Sequence, residues 1–131
     1  AIRRHGAQDR VCVAAFSDGR LRRIRSLLGG AVCTAASPRE ITSILGALRV
    51  RRRPRDAGAW GCVQVPTRHR GVEIVTPGFV RAVHSVGRQV HVWTIDEADE
   101  MHRLLDMGVD GIMTDRPSVL RAVIDERGTA A

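Results

Sequence analysis

The sequence contains no lysine and no tyrosine, and aromatic residues of all kinds make up only 3% of it. Its 21 basic residues are therefore all Arg, and the formal net charge is +7. So few aromatic rings cannot form a platform on which nucleic-acid bases stack, and we expect no specific nucleic-acid partner. The densest basic cluster could meet phosphate, lipid or nucleic acid, but we favour a solvated loop. This cluster consists of Arg49, Arg51, Arg52, Arg53 and Arg55.

Long apolar runs are also missing. No stretch approaches the roughly 20 apolar residues that cross a bilayer, and the first residues show no signal-peptide pattern. We therefore expect a cytoplasmic protein without a transmembrane segment. Hydrophobic residues make up 44% and charged residues 27%, a balance typical of a globular domain and not of a disordered chain. The sequence begins with Ala1 instead of Met, and we interpret it as a fragment.

Cysteines are few, and their spacing predicts no site. Cys12, Cys33 and Cys62 are odd in number, far apart and without CxxC spacing, so neither a disulfide framework nor a zinc site is indicated. Each lies in a strand-like apolar run. We expect three small buried thiols in a reducing compartment.

What is present is an alternation of strand-like and helical segments. Apolar runs at 11–16, 31–34, 62–65, 90–95 and 111–114 are typical of strands buried on both faces. Amphipathic helices are predicted between and after them. Ser37-Pro38 with Glu40 forms a capping box, and Thr76-Pro77 repeats the cap-then-proline signal. Asp96 and Asp115 are expected to cap the last two helices, and 49–59 is expected to be a loop.

Helical crossovers between successive strands require parallel pairing, so the predicted fold class is α/β. No GxGxxG or GxxxxGK[ST] motif opens a helix, which disfavours dinucleotide-binding and P-loop folds. A barrel, or part of one, remains. Five strand–helix units of a TIM barrel need about 150 residues, and the chain has 131.

The segment 90–117, VHVWTIDEADEMHRLLDMGVDGIMTDRP, resembles the end of the glycerophosphodiester phosphodiesterase family barrel. That family has a strand ending in V-W-T-V-N, a helix, and then G-V-D-G-I-hydrophobic-T-D-x-P. A weaker similarity lies at 15–18, where the family's fourth strand ends in S-F-D or a close variant. Residues 1–131 are thus interpreted as the C-terminal portion of the barrel, strands 4–8, with strands 1–3 absent. The matching residues are Val92, Trp93, Thr94, Gly108, Val109, Asp110, Gly111, Ile112, Thr114, Asp115 and Pro117.

Side chains at the carboxyl ends of barrel strands form the mouth of the active site. We therefore expect Trp93, Gln64, Phe16 and Ser17 to contact substrate. The resemblance implies that Trp93 is an apolar wall against the glycerol part of the substrate, and core packing is the alternative. Gln64 could donate to a phosphate oxygen or bond within the barrel.

Other polar residues have structural interpretations that we favour. Asp96 stands where the family usually has Asn, and either residue serves as a helix cap. The acidic residues near this helix start suit its dipole better than a metal site. His91 shares a strand face with Trp93 and could point into the barrel, although packing is preferred. The acidic residues are Asp96, Glu97, Asp99 and Glu100.

The resemblance implies hydrolysis of glycerophosphodiesters to glycerol 3-phosphate and an alcohol, with paired histidines and a divalent ion, calcium or magnesium. The family carries H-R-G on its first strand, E-x-D on its second and E-x-K on its third. The tripeptides His69-Arg70-Gly71 and Glu97-Ala98-Asp99 occur here, but neither lies on a predicted strand, and no E-x-K occurs. Arg4-His5-Gly6 has the wrong order. We therefore expect no catalytic residue and no bound metal in this segment, which alone should be inactive. Five strands also leave open edges, so the segment should self-associate.

Two alternatives remain open at this stage. Another phosphate-handling barrel enzyme would need glycine-rich phosphate turns after the last two strands, where Asp96 and Arg116-Pro117 stand instead. A non-catalytic remnant, or an Arg-rich binding module, is supported by the charge and opposed by the shortage of aromatic residues.

Overall fold

The computed structural model describes residues 1–54 and 60–129. In this part of the chain, helices alternate with short strands, and single-turn 3₁₀ segments lie at Arg3–His5, Gln8–Arg10 and Gly29–Ala31. The strands are β1 (Cys12–Val13), β2 (Cys33–Thr34), β3 (Cys62–Val65), β4 (Arg68–His69), β5 (Val72–Glu73), β6 (Gln89–Val92) and β7 (Gly111–Ile112). The helices are α1 (Asp18–Leu28), α2 (Pro38–Arg49), α3 (Pro77–His84), α4 (Ala98–Asp106) and α5 (Pro117–Thr129).

Five of the strands run parallel in the order β1-β2-β3-β6-β7. The ladders β1–β2, β3–β6 and β6–β7 are all parallel, and a parallel bridge between Ala35 and Cys62 joins β2 to β3. Each strand is followed by a helix that returns the chain to the same end of the sheet. This is the arrangement of five consecutive strands of a TIM barrel, so the predicted α/β partial barrel is confirmed.

The core lies between the sheet and its helices. Val63 and Val65 of β3 and Val90 and Val92 of β6 point towards the helices and are at most 2% exposed. They belong to one apolar cluster with side chains of α3 and α4. The opposite face of the same strands carries Gln64 and His91, which are register partners. Because side chains alternate across a strand, this second face is the interior of the barrel.

Local sequence signals explain where the helices begin. Ser37 caps α2 in a capping box with Glu40, and Pro38 is the first helical residue. Thr76 caps α3 by accepting from the amide of Phe79. Both signals were predicted from the sequence, and both are confirmed.

Several boundaries and orientations differ from the predictions. The strands predicted at 11–16 and 90–95 are shorter, since the chain leaves the ladder at the barrel mouth. Helical periodicity places Leu27 and Ile124 on the apolar stripes of α1 and α5, but their side chains are 64% and 50% exposed. Asp96 was expected to cap α4, but Glu97 occupies the position before that helix. Asp115 lies two residues before the first residue of α5.

The β4–β5 hairpin was not predicted. Its turn residues Arg70 and Gly71 have φ values of 49° and 80°. Two successive positive φ angles are what a tight two-residue hairpin turn requires, and Gly71 supplies one of them without steric cost. The hairpin lies between β3 and α3, beside the carboxyl end of β3.

The basic cluster begins at Arg49, the last residue of α2, and continues into the segment after it. Arg49, Arg51, Arg52 and Arg53 are exposed, as a solvated segment would be, while Arg55 lies outside the described residues. The prediction that nucleic acid is not a specific partner stays a prediction. Within 1–54 and 60–129, none of the helices combines the length and the apolar character needed to traverse a bilayer.

Candidate active site at the carboxyl rim

A pocket of about 420 Å³ opens at the carboxyl ends of the parallel strands. Chain segments that leave β1, β2, β3 and β6 contribute to it, as the barrel geometry requires. The hairpin and α2 complete its wall. The lining is mostly apolar, with a few polar groups, which is typical of a binding site for a small molecule. Its lining residues from the sheet include Phe16, Ala36, Gln64, Val65 and Trp93.

Three of the four predicted site residues meet in this pocket. Phe16 follows β1, Gln64 is in β3 and Trp93 follows β6 directly, and all three contribute to the lining. The rings of Phe16 and Trp93 contact edge to face, with 6.1 Å between centroids and planes at 80°. Trp93 is half-buried, whereas Phe16 is 87% exposed. Together they form a hydrophobic wall over the mouth of the barrel.

Gln64 lies deeper in the pocket than the aromatic pair. It is half-buried on the interior face of β3, and its register partner on β6 is His91. His91 in turn pairs with Gly111 on β7. A Cβ atom on Gly111 would lie 2.8 Å from Cδ2 of His91, so the imidazole occupies the space over that glycine. His91 therefore points into the barrel, which the sequence had raised only as a secondary interpretation.

Ser17 caps a helix instead of lining the pocket. Its side chain accepts from the amide of Arg20 at 3.4 Å and caps α1. The pocket is lined by its neighbour Phe16, and Ser17 itself is exposed beside it. The substrate contact predicted for Ser17 stays a prediction, with the cap as its observed role.

His69 also lines this pocket, although it is not among the four predicted site residues. It ends β4, and the hairpin brings it over the mouth. The signal that could have found it is the Arg70-Gly71 pair, which marks a hairpin turn between two short extended segments. A histidine at the tip of a hairpin beside strand ends is placed where active-site residues gather.

Asp96 forms hydrogen bonds that connect two chain segments at the carboxyl rim, close to Trp93. Its Oδ1 accepts from the Thr114 hydroxyl at 2.8 Å and from the Asp115 amide at 2.9 Å. Arg116 adds a hydrogen bond from its guanidinium to the Asp96 carbonyl at 3.4 Å. The carboxylate expected to cap α4 instead ties the segment after β6 to the segment after β7. An Asn at this position could accept the same two bonds, which explains why both residue types suit it.

The pocket does not offer a ligand set for calcium or magnesium. These ions prefer carboxylate and carbonyl oxygens, and the pocket lining within 1–54 and 60–129 includes no Asp or Glu. Its polar side chains are Gln64, Thr42 and His69. The described part of the chain therefore supplies walls and a hydrogen-bonding amide, without the negative charge that would hold a hard cation.

A different group of potential ligands lies at the opposite end of the strands. Cys12, Cys33 and Cys62 come from β1, β2 and β3, and their Sγ atoms all lie within 4.8 Å of one another. Cys62 is buried, but Cys12 and Cys33 are exposed, so the expectation of three buried thiols is wrong for two of them. The side chains face the open interior of the incomplete barrel. Although Cys12 as a residue is exposed, its Sγ lies against the other two sulfur atoms, and the desolvation of this thiol together with the neighbouring sulfurs raises its pKa above the usual range.

The comparisons with known proteins agree with this geometry. Residues 1–119 match the glycerophosphoryl diester phosphodiesterase family. A protein of Mycobacterium tuberculosis named "Probable glycerophosphodiester phosphodiesterase 2" is 45% identical over 133 residues, which cover 97% of this chain and 49% of that protein. The glycerophosphodiester phosphodiesterase GDPD4 of Arabidopsis thaliana is 34% identical over 56 residues, 43% of this chain and 17% of that one.

A solved structure has the same fold. The crystal structure of a glycerophosphodiester phosphodiesterase from Parabacteroides distasonis superposes with a TM-score of 0.73 at 18% identity. The superposition covers 97% of this chain and 48% of that one. The chain thus spans half the length, or less, of these relatives, as expected for part of a barrel.

Proposed function

Because the chain belongs to the glycerophosphoryl diester phosphodiesterase family, we propose that it forms the carboxyl-terminal part of a barrel that hydrolyses glycerophosphodiesters. The products would be glycerol 3-phosphate and an alcohol. The observation that carries this proposal is the convergence of Phe16, Gln64 and Trp93 in one pocket at the carboxyl rim. The mycobacterial relative, whose name states this activity, supports it.

The aromatic wall would contact the carbon part of the substrate. Trp93 and Phe16 present apolar ring surface to the pocket, and burying the C–H groups of a glycerol unit against such surface is favourable. The wall would also exclude water from one side of the reacting phosphodiester. Binding of this kind positions the substrate and does not itself cleave the ester.

Gln64 would orient the phosphate. Its side-chain amide carries two N–H donors and projects from the barrel interior into the pocket. An amide donor can hydrogen-bond a non-bridging phosphoryl oxygen without changing protonation. His69, on the hairpin, lies on the same pocket and could contact the other end of the substrate.

The reaction has two requirements beyond binding, and His69 is the one acid/base side chain in the pocket lining within 1–54 and 60–129. Cleavage of a phosphodiester needs neutralisation of the phosphoryl oxygens and a proton for the leaving alcohol. A divalent ion, calcium or magnesium, would supply the first when bound. We propose that its carboxylate ligands and the acid/base residues lie on barrel strands that precede β1. The 131-residue chain alone would then be inactive.

The same architecture leads to a proposal about assembly and location. β1 and β7 are the edge strands of the parallel array, and within residues 1–54 and 60–129 no strands face the interior side that carries Gln64 and His91. Such a chain would self-associate through its edges. A reducing compartment such as the cytoplasm would keep its free thiols reduced.

The test compares this chain with a chimera. In the chimera, the N-terminal half of the mycobacterial relative precedes Ala1, so that a full set of eight strand–helix units is present. Both proteins are incubated with glycerophosphocholine and either calcium or magnesium, and glycerol 3-phosphate is measured. We expect release by the chimera only, abolished by a chelator. Release by the 131-residue chain would disprove its inactivity, and no release by a folded, monomeric chimera would contradict the proposed reaction.

A further inference from the structure

The three cysteines occupy adjacent positions on neighbouring parallel strands. Cys12 and Cys33 are register partners in β1 and β2. Cys62 begins β3 opposite Ala35, which lies two residues after Cys33 on the same face of its strand. The Sγ atoms of Cys12 and Cys62 are 3.5 Å apart, and those of Cys12 and Cys33 are 3.6 Å apart. Parallel pairing therefore brings three thiols, distant in sequence, into mutual contact.

These distances suit three ligands of one soft metal ion. Zinc–thiolate bonds are about 2.3 Å long, so sulfur atoms around a tetrahedral zinc are about 3.8 Å apart. Trigonal coordination increases the separation slightly. The thiols need to move apart by only a few tenths of an ångström along two of their edges, which side-chain rotation can provide.

Other features of the chain favour a site at this position. Gly61 precedes Cys62, and a Cβ atom there would lie 2.6 Å from the Sγ of Cys33, so the glycine leaves room for that thiol. The three backbones are fixed by the parallel ladder and its bridge, which limits the entropy lost on binding. Cys12 and Cys33 are exposed, so an ion can reach the cluster, while buried Cys62 forms its base.

We propose that Cys12, Cys33 and Cys62 form a binding site for one thiophilic d¹⁰ cation, Zn²⁺ or Cu⁺, separate from the pocket at the carboxyl rim. Thiolate ligands select such ions over calcium and magnesium. Each sulfur loses its proton to solvent as its bond to the metal forms, and no electron is transferred. Three thiolates complete a trigonal Cu⁺ site, whereas Zn²⁺ takes a water molecule as a fourth ligand. Within 1–54 and 60–129, this is the sole cluster of three or more His, Cys, Asp or Glu ligand atoms.

The experiment titrates the reduced 131-residue chain under anaerobic conditions. Zn²⁺ is added in competition with a chromogenic chelator, and Cu⁺ in competition with a chromogenic Cu⁺ ligand. Co²⁺ serves as a spectroscopic substitute for zinc, because thiolate coordination gives a charge-transfer band in the near ultraviolet. We expect one ion per chain, and the two competition assays show which cation binds more tightly.

Variants at the exposed thiols test the assignment. Cys12→Ser and Cys33→Ser should each lower the affinity at least tenfold and remove most of the cobalt charge-transfer band. Both side chains are exposed in this chain, and Ser is close in size to Cys, so these variants should fold, which circular dichroism checks. The matched control is His91→Gln, which removes the interior-facing imidazole on β6 and leaves all three thiols in place. It should bind as the unmodified chain does.

Two results would overturn the proposal. One is that the reduced chain binds neither cation at a ratio of one per chain. The other is that Cys12→Ser and Cys33→Ser bind as tightly as the unmodified chain, which would assign the ion to other ligands. Neither result depends on phosphodiesterase activity, so the site and the proposed reaction fail or succeed independently.

Discussion

The ring of Phe16 meets the ring of Trp93 edge to face, with 6.1 Å between their centroids. The two residues are far apart in sequence, and each follows the carboxyl end of a parallel strand, β1 for Phe16 and β6 for Trp93. Their contact spans the mouth above β2 and β3, which lie between those strands in the sheet order. Edge-to-face pairs of this kind are worth about 0.5–1.5 kcal/mol beyond the area they bury.

The first prediction rests on the proposed function and concerns this wall in the chimera described above. Trp93→Ala should lower kcat/KM for glycerophosphocholine about tenfold or more, because it removes the larger apolar surface against the glycerol unit. Phe16→Ala should cause a smaller loss, since the ring of Phe16 is 87% exposed and Trp93 would keep its own contact with the substrate. The control is Leu27→Ala, an exposed apolar residue on α1 away from the pocket, which should leave kcat/KM unchanged. Equal losses in all three variants would indicate general destabilisation in place of a substrate contact.

Much of the fold could be predicted because its signals are local. Capping residues followed by proline mark the starts of α2 and α3, and apolar runs mark the five parallel strands. Trp93, Gln64 and Phe16 could be placed at one rim because the carboxyl ends of parallel strands always meet there. Their gathering in a single pocket follows from that rule and from no long-range information.

What the sequence did not reveal depends on strand register. The convergence of Cys12, Cys33 and Cys62 requires the three strands to start at matching heights, and spacing along the chain does not encode this. Asp96 was predicted to cap a helix because Asp is common at that position. Its carboxylate instead accepts a hydrogen bond from the hydroxyl of Thr114, 18 residues away. Local propensity and tertiary hydrogen bonding compete at such positions, and here the tertiary bonds prevail.

The second prediction concerns the glycine that faces His91. Gly111→Ala should destabilise the chain by about 1–2 kcal/mol, because the new methyl group would lie 2.8 Å from Cδ2 and 3.2 Å from Cγ of His91. The atom Cγ is close to the backbone, so it cannot move out of the way as the far end of a flexible side chain can. Free energies of unfolding are measured by urea titration monitored by far-ultraviolet circular dichroism.

A double-mutant cycle supplies the control for Gly111. In a His91→Ala background the imidazole is gone, so adding Gly111→Ala should cost less than about 0.5 kcal/mol. If the cost of Gly111→Ala is the same with and without the imidazole, the clash is not its cause. Backbone entropy of the glycine would then be the better explanation.

The third prediction compares two Glu–Arg pairs. Glu40 accepts two hydrogen bonds from Arg25, at 2.9 and 3.1 Å, and its Oε2 also accepts from the Ser37 amide. The Arg25 and Glu40 side chains are only 17% and 20% exposed. Glu40→Gln should therefore destabilise the chain by about 2 kcal/mol, since it leaves a largely buried guanidinium without its counter-charge.

The matched control for Glu40 is Glu100→Gln. Glu100 also accepts two hydrogen bonds from one arginine, Arg103, but that arginine's side chain is 43% exposed. Glu100→Gln should therefore lower the free energy of unfolding by less than about 1 kcal/mol, as is usual for surface ion pairs. Chemical denaturation of both variants measures the difference. Similar losses for Glu40→Gln and Glu100→Gln would show that burial does not set the strength of these pairs.

The fourth prediction uses pH to test the Asp110 carboxylate, which joins α3, β6 and the segment before β7. Its Oδ2 accepts from the Val90 amide at 2.7 Å and contacts Nε2 of His84 at 2.8 Å. Partial burial opposes ionisation, but the Val90 amide and His84, aided by the charge of His91, outweigh it and hold the pKa of Asp110 below its usual range. A carboxyl group whose pKa is lower in the folded chain stabilises the fold above its unfolded pKa, and this contribution is lost as pH falls.

Asp110→Asn should therefore lower the free energy of unfolding by about 1 kcal/mol at neutral pH, a value limited by the partial exposure of the side chain. The difference from the unmodified chain should shrink as the pH falls below about 4 and the unfolded-state carboxyl takes up its proton. Asp106→Asn is the control, because its carboxylate pairs with Arg127 at the surface and is 69% exposed. Urea titrations at several pH values give both curves. If the free energy of unfolding of Asp110→Asn stays below that of the unmodified chain by the same amount down to the lowest pH measured, lost packing accounts for the effect. Lost charge would then not be its cause.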